Sequence, residues 1–225
     1  MKKMLYVLVI TFLSFTIYSC AKKSDSSSSS STTELEGTWV KSCDGGSYYR
    51  STTFYYKDTV VVSGSNVTWK EEAHNDSNCS SDNYTRDWTY SNGLSIGDAV
   101  TFESGTKTGA KFTLTMSGLT ETLNNSYEVT LANNNSFCGY SDWELNVAKD
   151  VAGKTCDPHD WDSVGTKRLS VYKNESSTTI LFATFNLESS GYAASVNSLV
   201  YTKQLNLIFS PPSFLTHKRR ILLLN

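Results

Sequence analysis

The sequence has no CxxC pair, only three histidines and three prolines, and no long stretch in which apolar residues recur at the helical period. Each scarcity removes a class of protein. Structural zinc takes its ligands in close pairs, so four scattered cysteines do not read as a zinc site. His74 lies in the polar stretch "EEAHNDSNC" and His217 in an atypical C-terminal tail, which leaves His159 as the one histidine in a chemically varied loop. No Gly-x-Ser-x-Gly elbow, phosphate-binding loop, dinucleotide fingerprint or HExxH motif occurs. Glu71 and Glu72 are adjacent, so on a strand they point to opposite faces and cannot share an acid–base task. The expectation is therefore no enzyme and no cofactor. Lys and Arg number 20 against 22 Asp and Glu, with pI near 5.9 and no basic stripe, which argues against a nucleic-acid partner.

Long apolar runs are also missing, except at the start. Met1-Lys2-Lys3 is followed by an apolar run to about Tyr18, the length of a signal h-region and short of the ~20 residues a spanning helix needs. The run ends in Ile17-Tyr18-Ser19-Cys20, which resembles the lipobox of bacterial lipoproteins. The resemblance implies cleavage before Cys20 and its lipidation by diacylglycerol and a further acyl chain, such as palmitate. Two or three chains anchor firmly where one is marginal. Residues 1–19 then read as a signal peptide and 20–34 as a Ser-rich tether, polar and without core residues. Ala21 after the cysteine resembles lipoproteins sent on to the outer membrane. The implied partner is a membrane, and the implied location is the cell envelope, on its periplasmic or surface side.

About 190 residues follow the tether, enough for one domain with its own core. Removal of Lys2 and Lys3 takes the net charge from −2 to about −4. Four cysteines remain, Cys43, Cys79, Cys138 and Cys156, an even number suited to two disulfides in an oxidising compartment. Three pairings are open. Cys43–Cys79 with Cys138–Cys156 is preferred because each bond closes a loop between neighbouring segments, worth roughly 3–4 kcal/mol apiece.

From Leu35 onward apolar residues recur at every second position. Trp39 with Lys41, Val67 with Trp69 and Glu71, Trp88 with Tyr90, and Phe112 with Leu114 and Met116 each share one face. The pattern extends to Tyr127–Leu131, Trp143–Val147, Leu169–Val171, Ile180–Phe182 and Leu199–Tyr201. Turns are expected at 44–46, 63–66, 91–93, Gly105 and 133–135, a helical turn at 147–153, and the longest loop at 153–165. The fold class is all-β: an antiparallel up-and-down barrel of about nine to eleven strands over 35–204, with a sandwich as the alternative. Residues 205–225, with Pro211-Pro212 and a basic cluster at 217–220, do not fit and read as a disordered extension, with a membrane-binding basic and apolar tail as the alternative.

Asp157, Asp160 and Asp162 crowd the loop "CDPHDWDSVG", but their spacing completes no calcium loop, and no metal is expected. Aromatic residues are the notable asset, at 12% of the chain. Alternation turns some of Trp39, Trp69, Trp88, Tyr90, Phe112 and Trp143 inward, where they either fill the core or line a ligand cavity.

Gly37-Thr38-Trp39 at the start of the first strand resembles the lipocalins. The segments "LEGTWVKSC", "SNCSSDNYT", "LSIGDAV", "FCGYSDWELNVAKDVAGKTCDP" and "LVYTKQ" are similar to those of small lipocalin-like lipoproteins of Gram-negative bacteria and spirochaetes. The resemblance implies a barrel, a tryptophan closing one end, and an arginine packed over it, for which Arg168 is the nearest candidate. It also implies binding of a small apolar or amphipathic molecule. The alternative is a surface adhesion or envelope-complex protein with a filled core. An enzyme would need a pocket with perturbed titratable groups.

Overall fold

The computed structural model describes residues 33–49, 52–157, 159–193 and 195–205. The signal segment, Cys20, the tether to residue 32 and the tail from 206 lie outside them. The described domain is almost entirely antiparallel β. In chain order the strands are β1 (Gly37–Tyr49), β2 (Thr52–Ser63), β3 (Asn66–His74), β4 (Asp82–Tyr90), β5 (Leu94–Phe102), β6 (Lys107–Thr115) and β7 (Gly118–Leu123). A helix, α1 (Ser126–Asn134), interrupts them. Then follow β8 (Ala148–Asp150), β9 (Thr155–Cys156), β10 (His159–Asp160), β11 (Lys167–Ser176), β12 (Thr179–Ala183), β13 (Asn186–Leu187) and β14 (Val196–Lys203).

Eleven strands form one path, β5-β6-β11-β12-β14-β1-β2-β3-β4-β7-β8, with β13 added beside β11. The path curls so that β4 and β7, near one end of it, are continuous in the chain with β5 and β6 at the other. β4 runs on into β5, and β6 into β7. Thr89 pairs with Gly118 and Leu94 with Leu114, so 82–102 and 107–123 are one long ladder with an irregularity at 91–93. Thr115 N donates to Gly93 O at 2.9 Å and Ser117 N to Thr89 O at 2.8 Å, which carries the ladder across that irregularity. Counted by continuous chain, the circuit β1, β2, β3, β4–β5, β6–β7, β11, β12, β14 returns to β1. This is an all-β, antiparallel, barrel-like fold.

The alternation seen in the sequence sets the register. Trp39, Val60, Val67, Leu114, Leu119, Ile180 and Tyr201 are among the core residues, all 4% exposed or less. Burial of side chains of this size contributes ~1.5–3 kcal/mol each. Between β7 and β11 the chain makes a long excursion that carries α1 and the β9–β10 hairpin.

Four expectations fail. Residues 127–131 form α1 rather than a strand, because the Asn125 side chain accepts from Tyr127 N and caps the helix. The buried residues of α1 are Glu128 and Ala132, a helical spacing of four, while Tyr127 is exposed. Residues 143–147 form no strand. The Trp143 backbone is satisfied by the side chain of Asn133, which accepts from Trp143 N at 2.6 Å and donates to Trp143 O at 3.0 Å. Asp44-Gly45-Gly46 is not a turn, since β1 runs through it with register shifts at 41–44 and 45–47. The stretch 147–153 is not helical. It carries β8, which pairs with β7, and β9 and β10 make a small hairpin within the expected loop.

The disulfides are Cys43–Cys79 and Cys138–Cys156, spanning 36 and 18 positions. The first ties the bulged part of β1 to the β3–β4 loop, and the second ties the segment after α1 to β9.

Candidate functional site

Residues directly opposite each other across neighbouring strands line up in levels around the barrel interior. One level reads Trp39, Val60, Trp69, Trp88, Leu119 across β1, β2, β3, β4 and β7. The next, two residues along each strand, reads Tyr201, Lys41, Asp58, Glu71, Arg86, Glu121 across β14, β1, β2, β3, β4 and β7. An aromatic–aliphatic belt therefore abuts a belt of six polar side chains.

The polar belt is bonded in two groups, Tyr201–Asp58–Lys41 and Glu71–Arg86–Glu121. Lys41 Nζ lies 3.0 Å from both Asp44 Oδ1 and Asp58 Oδ2, and Tyr201 OH donates to Asp58 Oδ2 at 2.7 Å. Arg86 donates through Nη1 to Glu71 Oε1 at 3.0 Å and through Nε to Glu121 Oε2 at 3.1 Å. Its guanidinium also lies 4.3 Å from the Tyr84 ring centre and 4.7 Å from that of Trp161. Burial pulls the Lys41 ammonium down, but Asp58 and the hydrogen bonds to Asp44 and Asp58 outweigh it and hold its pKa above the ordinary value. For Glu71 the order reverses. Burial raises its carboxyl pKa by more than Arg86 lowers it, with Asp58 adding to the rise. Burial and the neighbouring Asp58 push the Tyr201 phenol far up, so it stays a donor.

A cavity of about 520 Å³ lies against both belts. Lys41, Asp58, Glu71 and Tyr201 form its polar end, and Trp69, Trp88, Phe182 and Phe185 its aromatic wall. Tyr90, Arg168 and residues 159–162 of the β9–β10 hairpin and its continuation line it too. Trp69 meets Phe182, Phe185 and Tyr201 with ring centres 5.5, 4.9 and 5.6 Å apart. Trp161 reaches Trp88 at 6.2 Å. The volume falls within the range of small-molecule pockets, ~300–1,000 Å³.

Of the six aromatics singled out in the sequence, Trp69, Trp88 and Tyr90 line this cavity. Phe112 stands one layer behind, 5.8 Å from the rings of both Phe182 and Phe185. Trp39 is 1% exposed and donates from Nε1 to Leu35 O at 2.7 Å, so it packs an end of the core. Trp143 sits in the excursion, against Phe137 and Tyr140. The cation over Trp39 is Lys203 of the last strand, 5.2 Å from the ring centre, and not Arg168. Arg168 instead grips Asp162 with Nε and Nη2 at 2.6 and 2.7 Å. The arginine expected over Trp39 is thus not there, and a lysine stands in its place.

Sequence reasoning missed the polar belt, Trp161, Phe182 and Phe185. Lys41 and Glu71 alternate onto the faces of Trp39 and Trp69, and that alternation is the signal the sequence offers. Among the described residues, no three of His, Cys, Asp and Glu stand together as a metal-holding group. No family model and no curated protein matches the chain.

Proposed function

We propose that this chain is a lipid-anchored cell-envelope protein whose lipocalin-like barrel takes up a small amphipathic molecule. The observation that carries the reading is the cavity of about 520 Å³ bounded by an aromatic wall on one side and a polar belt on the other. An interaction protein with a filled interior has no use for such a space. The ionisable groups at the polar end are engaged with one another along the belt, which suits a fixed recognition surface rather than acid–base turnover. Anchoring rests on the lipobox-like Ile17-Tyr18-Ser19-Cys20 and the serine-rich spacer behind it. With neither a basic stripe nor a base-reading motif in the sequence, nucleic acid is not among the proposed partners.

The neutral fluorescent amine N-phenyl-1-naphthylamine tests the binding half. Saturable enhancement at one probe per chain, with quenching of tryptophan emission, is the expected result. Linear, unsaturable signal would overturn it. For the anchor, Cys20→Ser is expected to abolish incorporation of labelled palmitate and release the protein from the membrane fraction. Unchanged incorporation would overturn the assignment of Cys20.

A further inference from the structure

The polar end of the cavity carries an imbalance. Four carboxylates line the cavity, Asp58, Glu71, Asp160 and Asp162, against two lining cations, Lys41 and Arg168. Lys41 is held between Asp44 and Asp58. Arg168 is gripped bidentately by Asp162. Arg86, which partners Glu71, is itself not a lining residue and is shared with Glu121. The Asp58 side chain is only 8% exposed, and its Oδ1 meets no donor among the described residues. A buried carboxylate oxygen left without a donor costs ~1–3 kcal/mol or more, which a bound donor would recover. Beside this end stand the rings of Trp69, Phe182, Phe185 and Tyr201, whose faces attract cations.

We infer that the molecule taken up is a cationic amphiphile, with an ammonium head at the Asp58–Glu71 end and an apolar body along Trp69, Trp88 and Phe185. The inference rests on the binding reading above and narrows it. An anionic head would meet surplus carboxylate and only cations that carboxylates already hold. A neutral head would leave the charge imbalance standing. A cation shields the carboxylate pair, takes up Asp58 Oδ1 and lies against ring faces. Burial above all, and then its neighbour Asp58, raise the Glu71 carboxyl pKa, and a cation placed beside the pair would oppose both effects.

The test compares three probes of equal chain length, each below its micellar concentration: octylammonium, octyl glucoside and octanesulfonate. They are titrated against the full-length chain carrying Cys20→Ser, so that no acyl chain competes, with tryptophan emission as the readout. The expected result is octylammonium binding at least about tenfold tighter than the glucoside, with the sulfonate weakest. Equal affinity for all three would overturn the cation inference and leave the binding reading standing. Preference for the sulfonate would also overturn it. Failure of all three to bind would overturn both. Asp58→Asn supplies a second readout, the ratio of ammonium to glucoside affinity, which is expected to fall several-fold. A purely structural role for Asp58 would weaken both probes together and leave that ratio unchanged.

Discussion

At the scale of single residues, the polar belt is the least forgiving part of the domain. Arg86 is 6% exposed and is the common partner of Glu71 and Glu121, the latter 1% exposed. Arg86→Met leaves two carboxylates buried without their cation, a loss of ~3–5 kcal/mol. Chemical denaturation of wild type and variant checks this, and a difference under about 1 kcal/mol would show that the belt tolerates the loss of its centre. Glu71→Gln should behave differently. The folded-state pKa of Glu71 is raised by burial, so its contribution is fully present below the unfolded pKa and is lost as pH rises through the folded value. Wild type should therefore gain stability relative to Glu71→Gln as pH falls from neutral through that value. Urea midpoints measured for both proteins at several pH values read the trend directly, and parallel profiles would contradict it. Asp76 is the opposite case. Hydrogen bonds from Ser81, Asn78 and Ser80 bring its pKa down to about 2, and they hold the loop that carries Cys79. Asp76→Asn is expected to speed amide exchange at Ser80 and Ser81 without disturbing the barrel strands, and unchanged exchange there would contradict this.

At the scale of elements, closure depends on the long hairpin 82–102/107–123. Gly93 sits at its irregularity, and a Cβ there would stand 2.3 Å from the Thr115 carbonyl oxygen, a backbone atom that cannot swing aside. Gly93→Ala is expected to cost ~1–3 kcal/mol, seen as a drop of about 2–12 °C in Tm. An unchanged Tm would mean that the ladder does not pass through this point as tightly as the geometry requires. The strands themselves were legible in the sequence, because period-two alternation is a local signal and Trp39, Trp69 and Trp88 announce the buried face. The excursion 124–166 was not. The alternation of Tyr127, Val129 and Leu131 imitates a strand, while the deciding contact is the cap from Asn125. Likewise the pairing of Trp143 with the Asn133 side chain replaces a strand partner with a contact ten positions away.

At the scale of the whole molecule, what sequence reasoning lacked was register. Lys41, Asp58, Glu71, Arg86 and Glu121 lie on five strands and become one belt only when four ladders place them opposite each other. Phe182 and Phe185, distant in the chain, meet Trp69 across the interior for the same reason. The central proposal is that a barrel with one charged belt and one aromatic wall captures amphipathic molecules at an envelope surface. The most direct test of that claim is native mass spectrometry of the mature chain, purified from an oxidising compartment without added lipid. A single additional mass per chain that leaves on denaturation is the predicted result, and an amine in its composition would agree with the charge of the cavity. A clean mass with both disulfides counted, and no uptake from an envelope lipid extract, would contradict the binding reading and point to a protein that works through its outer surface.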